Sequence, residues 1–277
     1  MQRSQRTILL MLPLTLAAIV CVAPFAWLIC ATIKRGEDLF AYSFLPWDHL
    51  DRLTLRNFAL LFVNQPFATW LTNSVFLAST QTVAVVTLSS IGGFALAKYQ
   101  FRGKRALYLM MLATMFLPAQ VLMPSSYELM WRLGWVDSYA AILVPGAVSV
   151  FGMFLFRQAM LNVPDELLHA GRVDGCSELR LWWEVALPIV RPMVGAFTLM
   201  TFIASWNSFL WPQVVLQTEG KYNLPIGLTN LVSQPEIQSN YSVLMCGTLV
   251  SIVPVMVLFF VLQKDFIAGL ASGAVKG

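Results

Sequence analysis

Arg157-Gln-Ala-Met-Leu-Asn-Val-Pro-Asp-Glu-Leu-Leu-His-Ala-Gly-Arg-Val-Asp-Gly-Cys-Ser-Glu-Leu-Arg-Leu-Trp-Trp-Glu-Val-Ala-Leu-Pro-Ile-Val-Arg191 is a polar stretch set between two apolar segments, each long enough to cross a bilayer. It is the place where the chain offers structured material to a soluble partner. Val163-Pro164-Asp165-Glu166 reads as a helix start, with proline at the first position and two acids opposing the helix dipole. Leu167, Leu168 and Ala170 then give that helix an apolar face, and Asp174-Gly175 is a stop and turn. Ser177 caps a second helix carrying Leu181, Trp182 and Val185 on one side, and Pro188 with Pro192 ends it. Periodicity alone leaves two readings open. The pair of short helices fits a groove on a partner protein, or it lies at the lipid surface with Trp182 and Trp183 as interfacial anchors.

Outward from this stretch the chain is apolar. Of 277 residues 58% are hydrophobic and only 12% charged, which places it among integral membrane proteins. A spanning helix takes about 20 apolar residues, and six stretches qualify: Thr7–Ile33, Trp70–Ala97, Ala106–Pro124, Tyr139–Phe156, Met193–Val215 and Ser242–Leu262. Pro145 and Pro212 interrupt the fourth and fifth, which neighbouring helices make tolerable. The expected fold is all-α, one membrane domain over 1–277, with a polar inner loop at about 157–191, an outer loop at about 34–68 and a tail at about 264–277. The first run is longer than a signal core and ends without a small-residue cleavage site, so it reads as a retained span.

Basic residues set the orientation. With both termini inside, twelve of the 18 Lys and Arg fall on inner segments and six on outer ones, against six inner and eight outer acids. Both termini are therefore expected in the cytoplasm, and the net charge of +4 follows from topology rather than from nucleic-acid binding. The four cysteines, Cys21, Cys30, Cys176 and Cys246, have no metal-site spacing and no disulfide pattern.

The chain lacks the usual sources of transport energy. Phe101-Arg102-Gly103-Lys104 has neither the second glycine nor the hydroxyl residue of a phosphate-cradling loop. The span interiors hold no Asp, Glu, Lys, Arg or His, which argues against proton coupling and against intramembrane proteases. Whatever drives this protein is expected on another chain.

Glu166-Leu-Leu-His-Ala-Gly-Arg-Val-Asp174-Gly175, nine further residues, then Val185-Ala-Leu-Pro188, resembles the EAA loop of binding-protein-dependent ABC importer permeases. Asn73-Ser74, Tyr99-Gln-Phe-Arg-Gly103, Ser205-Trp-Asn-Ser-Phe-Leu-Trp-Pro212 and the closing Gly273-Ala-Val-Lys-Gly277 extend the resemblance toward the sugar-type, maltose-permease-like subfamily. It implies a type I importer permease fold, with no enzyme activity and no cofactor on this chain; ATP and Mg belong to partner subunits. It further implies a second homologous permease, two ATP-binding cassette subunits, an extracytoplasmic solute-binding protein, and a multi-pass location in the cytoplasmic (inner) membrane. In that family the loop docks in a cleft of the ATPase. Carried over, Glu166, Ala170, Asp174, Gly175, Leu187 and Pro188 form or shape the contact, while His169 and Gly171 depart from the usual glutamate and alanine.

Three further expectations follow. The tail Gly273, Ala274, Val275, Lys276 and Gly277 is a frayed end by its position, whereas the resemblance sends it toward the ATPase dimer. Trp206, Asn207, Ser208 and Trp211 combine rings and hydrogen-bonding groups suited to a sugar, although polar residues in spans commonly bond another helix, and that reading is favoured for Asn207. The functional expectation is import of a sugar or sugar-derived polyol by alternating access; the alternative is a membrane scaffold that binds an ATPase without translocating solute.

Overall fold

The computed structural model describes residues 3–238 and 240–274. Its helices are α1 (Arg3–Ile33), α2 (Arg56–Asn64), α3 (Phe67–Lys98), α4 (Lys104–Thr114), α5 (Ala119–Arg132), α6 (Ala140–Leu143), α7 (Val150–Met160), α8 (Asp165–Val173), α9 (Glu178–Leu181), α10 (Leu187–Ile189), α11 (Arg191–Trp206), α12 (Leu210–Val215), α13 (Leu224–Val232), α14 (Pro235–Gln238) and α15 (Tyr241–Ala274). No strand occurs among the described residues.

Among the described residues, four elements are long and apolar enough to span a membrane: Met11–Ile33, Phe67–Lys98, Ala140–Met160 and Tyr241–Gly269. Two bent pairs raise the number to as many as six. The expected third span is one of these corrections: α4 and α5 meet at 98° rather than forming a straight helix. Pro118 causes the break, since the residues before a proline are pushed out of the helical region and α5 restarts after it. The expected fifth span also breaks. α11 is 16 residues, about 24 Å long, and ends at Asn207 before α12 starts at Leu210. That restart puts Pro212 in the first turn of α12, where its missing N–H costs nothing. Pro145 does interrupt the fourth span, as a 3-10 turn over Pro145–Ala147, and Ser149 caps the new helix by accepting from the Gly152 N–H at 3.0 Å.

The chain forms two compact units. The first comprises Met1–Ala68 and Gly227–Val253. Here the expected outer loop is folded around buried polar groups. Asn57 donates to the carbonyls of Thr32 (2.8 Å) and Lys34 (2.7 Å) and accepts from Asn240 at 3.2 Å. Lys34 is buried, donating to Tyr42 O at 2.6 Å, and burial lowers its pKa. Arg52 pairs with Asp38 at 3.2 Å.

The second unit, Thr69–Ile226 with Pro254–Gly277, carries the candidate site. Its centre is a contact of α3 with α7 so close that a Cβ on Gly93 would lie 2.5 Å from Phe156 Cβ and 2.8 Å from the Arg157 backbone nitrogen. Phe156 and Phe197 meet edge to face at 5.4 Å, joining α7 to α11.

Candidate functional site

The polar stretch folds into a helical hairpin whose turns are set locally. Pro164 stands at the N-cap of α8, one position before the expected first turn, with φ −61° and ψ 132°. At the other end Gly175 has φ +81°. Its N–H reaches Arg172 O at 3.1 Å and the Cys176 N–H reaches Gly171 O at 2.9 Å, the two bonds of a Schellman motif. A left-handed residue is what that motif requires, and glycine adopts it without strain. Ser177 caps α9 by accepting from the Arg180 N–H at 3.3 Å. From Trp182 to Ala186 the helix widens into a π turn, with the Leu187 N–H bonded to Trp182 O, immediately before Pro188. The chain then bends by 89° at Val190 into α11.

The inner side of the hairpin is apolar. Leu168, Leu181, Trp182 and Ala186 form one buried cluster with Phe94 and Ala97 of α3, Met160 of α7 and Val163. Trp182 is 6% exposed and Trp183 is 63% exposed, so Trp182 is a core residue and not a lipid anchor. Leu167 is another correction: it is exposed, and Leu168 alone supplies the buried face of α8.

Polar ties fix the same hairpin to the end of α3. Lys98, its side chain only 6% exposed, donates to Val163 O at 2.5 Å and to Asp165 Oδ1 at 2.7 Å. Tyr99 OH donates to Glu178, which also accepts two bonds from Arg172 at 2.7 and 3.1 Å. The Lys98 hydrogen bond and charge hold the Asp165 carboxyl below the usual carboxylate range, and Arg172 and then Tyr99 do the same for Glu178. Burial, followed by the Glu178 bond, raises the Tyr99 hydroxyl. Sequence reasoning missed Lys98, Arg172 and Glu178. Their only sequence signal is that Lys98-Tyr99 closes an apolar run.

Both carboxyl pKa values are depressed in the folded chain. The ties therefore contribute fully above the ordinary carboxylate pKa of about 4 and weaken as pH falls toward the folded values. Limited proteolysis of the purified protein is expected to leave residues 165–189 equally protected from about pH 8 to 5, with protection falling below about pH 4. Glu178→Ala is expected to raise cleavage severalfold at pH 7. Equal protection of wild type and variant at every pH would remove the ties from the account.

The residues expected to form the contact divide into two sets. Glu166, His169, Ala170, Asp174, Gly175 and Pro188 are exposed, and Val173 beside the turn is 88% exposed. Gly171 and Leu187 face their own chain instead. A Cβ on Gly171 would collide with Leu181 Cδ2, so a smaller residue in place of alanine lets the two helices close, and Leu187 packs on the buried cluster. Of the tail, Gly273 and Ala274 end α15, while Val275, Lys276 and Gly277 lie outside the described residues.

A cavity of about 880 Å³ lies between α3, α5, α6, α7 and α11, with no charged residue in its lining. Polar groups reach it from Gln81, Gln120, Ser126, Ser149, Thr201 and Asn207. Ser208 and Trp211 also line it, but Trp211 Nε1 is already donated to Ala141 O at 2.9 Å. Trp206 is a further correction: it is buried and stacked on Phe202 at 5.7 Å, away from the lining. Asn207 Nδ2 donates to Ile203 O of its own helix at 2.9 Å rather than to another helix.

A polar-dotted cavity among apolar spans, with a hairpin packed at the span ends, fits the class of membrane permeases. The family described as binding-protein-dependent transport system inner membrane component matches residues 86–264. The arabinooligosaccharides transport system permease protein AraQ of Halalkalibacterium halodurans is 36% identical, over 94% of this chain and 93% of its own. The lactose transport system permease protein LacG of Rhizobium radiobacter is 30% identical over 95% and 94%, and the sn-glycerol-3-phosphate transport system permease protein UgpE of Escherichia coli is 29% identical over 92% of each. A crystal structure of a bacterial ABC transporter involved in import of the acidic polysaccharide alginate shares the fold, with a TM-score of 0.83 at 24% identity, covering 96% of this chain and 99% of that one. This chain belongs to the family of binding-protein-dependent transport inner-membrane components. It is a multi-pass, non-enzymatic ABC importer permease of the type I fold.

Proposed function

We propose that this chain, paired with a second related permease, imports a sugar or sugar-derived polyol delivered by an extracytoplasmic solute-binding protein. One of two ATP-binding cassette subunits docks on the hairpin, and ATP with Mg is bound and used by those partner subunits. Both termini lie in the cytoplasm, as the excess of basic residues on the inner segments argues. The observation that carries the reading is the hairpin itself. One side is buried against α3 and α7 and tied by Lys98 and Tyr99, while Glu166, His169, Asp174 and Gly175 are left outward with no place in the chain's own core. A ligand-driven shift needs contacts that differ between two states, and an outward face rigidly joined to the spans is where a partner's movement reaches them. The sugar class is supported by the names of AraQ and LacG and by the charge-free cavity.

The test is purification in mild detergent followed by reconstitution. The chain is expected to bring with it an ATPase and a second permease, and vesicles loaded with ATP are expected to accumulate sugar at an unchanged rate after ion gradients are collapsed. Uptake that stops with the gradients, or a chain that purifies alone, would overturn the reading.

A further inference from the structure

Gln81 lies in the middle of α3, is 8% exposed, and lines the cavity. Its Oε1 is buried without a hydrogen-bond partner among the described residues, and this is unusual, since a buried amide left unsatisfied costs roughly 1–3 kcal/mol. The amide also lies close against the fourth span. Gly146, in the 3-10 turn that interrupts the fourth span, has no side chain where a Cβ would sit 2.6 Å from Gln81 Nε2 and 3.2 Å from Oε1. A helix break and a glycine therefore make room for an amide whose oxygen no described residue of the chain bonds.

We propose that Gln81 contacts the translocated solute directly and that this subsite selects uncharged, polyhydroxylated molecules over phosphorylated or carboxylated ones. The proposal rests on the importer reading above. A sugar hydroxyl both donates and accepts, and an amide presents one acceptor and one donor group on a rigid plane. Ser149 at the helix break and Asn207 at the end of α11 line the same space, so a hydroxylated ring is offered polar groups from three elements with apolar surface between them. The volume falls in the range of about 300–1,000 Å³ usual for small-molecule sites. The strongest contacts to an anionic group come from a cation or an arginine fork, and the lining contains neither.

The experiment uses the complete transporter in vesicles, with its binding protein and a labelled panel of neutral oligosaccharides, glycerol phosphate and uronic acids. Wild type is expected to import neutral members only. Gln81→Leu is expected to lower the maximal uptake rate about tenfold, the effect of one lost hydrogen bond, with the same amount of complex recovered. Gly146→Ala, which displaces the amide without removing it, is expected to change the rate in the same direction. Wild-type rates and preference in both variants, or anionic uptake by wild type, overturn this proposal while leaving the importer reading intact. No sugar uptake by wild type overturns that reading and this proposal with it.

Discussion

Gly175→Arg is expected to abolish uptake while the chain remains in the membrane at its normal level. The turn itself has room: no described residue outside it lies within 4 Å of a Cβ built on Gly175. The damage therefore arises in two ways. A residue with a Cβ at φ +81° costs roughly 1–2 kcal/mol, which loosens the Schellman turn without unfolding the helices anchored by Leu168 and Leu181. Under the proposed docking, arginine also carries a long cationic side chain into the space the ATPase would occupy. Burying that charge without a partner costs on the order of 3–5 kcal/mol, enough to reduce occupancy of the complex more than a hundredfold. Gly175→Ala separates the two causes. It bears the backbone cost alone and is expected to retain a large part of transport. Uptake assays paired with immunoblots of the membrane fraction read both results, and normal uptake by the arginine variant would sink the docking model.

The hairpin was legible in the sequence because its signals act over a few residues. Pro164, Asp174-Gly175 and Ser177 each settle a cap or a turn with neighbours no more than four positions away, and the structure forms a turn at each. The span breaks were not legible in the same way. Met115-Phe-Leu-Pro118 is apolar on both sides, so hydropathy sums the same whether α4 and α5 run straight or meet at 98°. At Pro212 the proline was visible, but the restart at Leu210 that removes its cost depends on packing. The ties from Lys98 to Asp165 and from Tyr99 to Glu178 cross 67 and 79 residues, a distance over which local propensity carries no information. Gln81 was legible and passed over. A neutral amide carries no charge to set it apart in an apolar span, although burying it costs free energy unless it is hydrogen-bonded.

The geometry also orders the parts mechanically. α3 ends at Lys98 and α7 ends at Met160, the two positions from which the hairpin is held, by ion pair and by core contact respectively. The same two helices line the cavity through Gln81 and Phe151. The hairpin is thus joined, by an ion pair and by buried contacts, to two of the helices that line the cavity, and closely packed interiors transmit strain.

That arrangement makes the α3–α7 contact a sensitive place in the second unit, and Gly93→Leu is expected to remove the chain from the membrane. Any Cβ on Gly93 meets Phe156 Cβ at 2.5 Å and, more importantly, the Arg157 backbone nitrogen at 2.8 Å. Backbone cannot rotate aside as a side chain does, so α7 must move, and overpacking of this kind costs about 1–3 kcal/mol for a methyl group and more for leucine. Against a total stability of roughly 5–15 kcal/mol, leucine is expected to leave little folded protein. Gly92 provides the control on the adjacent position. There a Cβ meets only the end of Met153, with Sδ at 3.1 Å, and a flexible thioether can yield. Gly92→Ala is expected to accumulate and transport at close to the wild-type level. Gly93→Ala is expected to accumulate partly and to transport less per molecule, because a displaced α7 carries Met160 and the hairpin with it. Membrane abundance by immunoblot and uptake per recovered chain measure both effects, and a Gly93→Leu chain that accumulates and transports normally would show that the two helices do not meet as closely as these distances require.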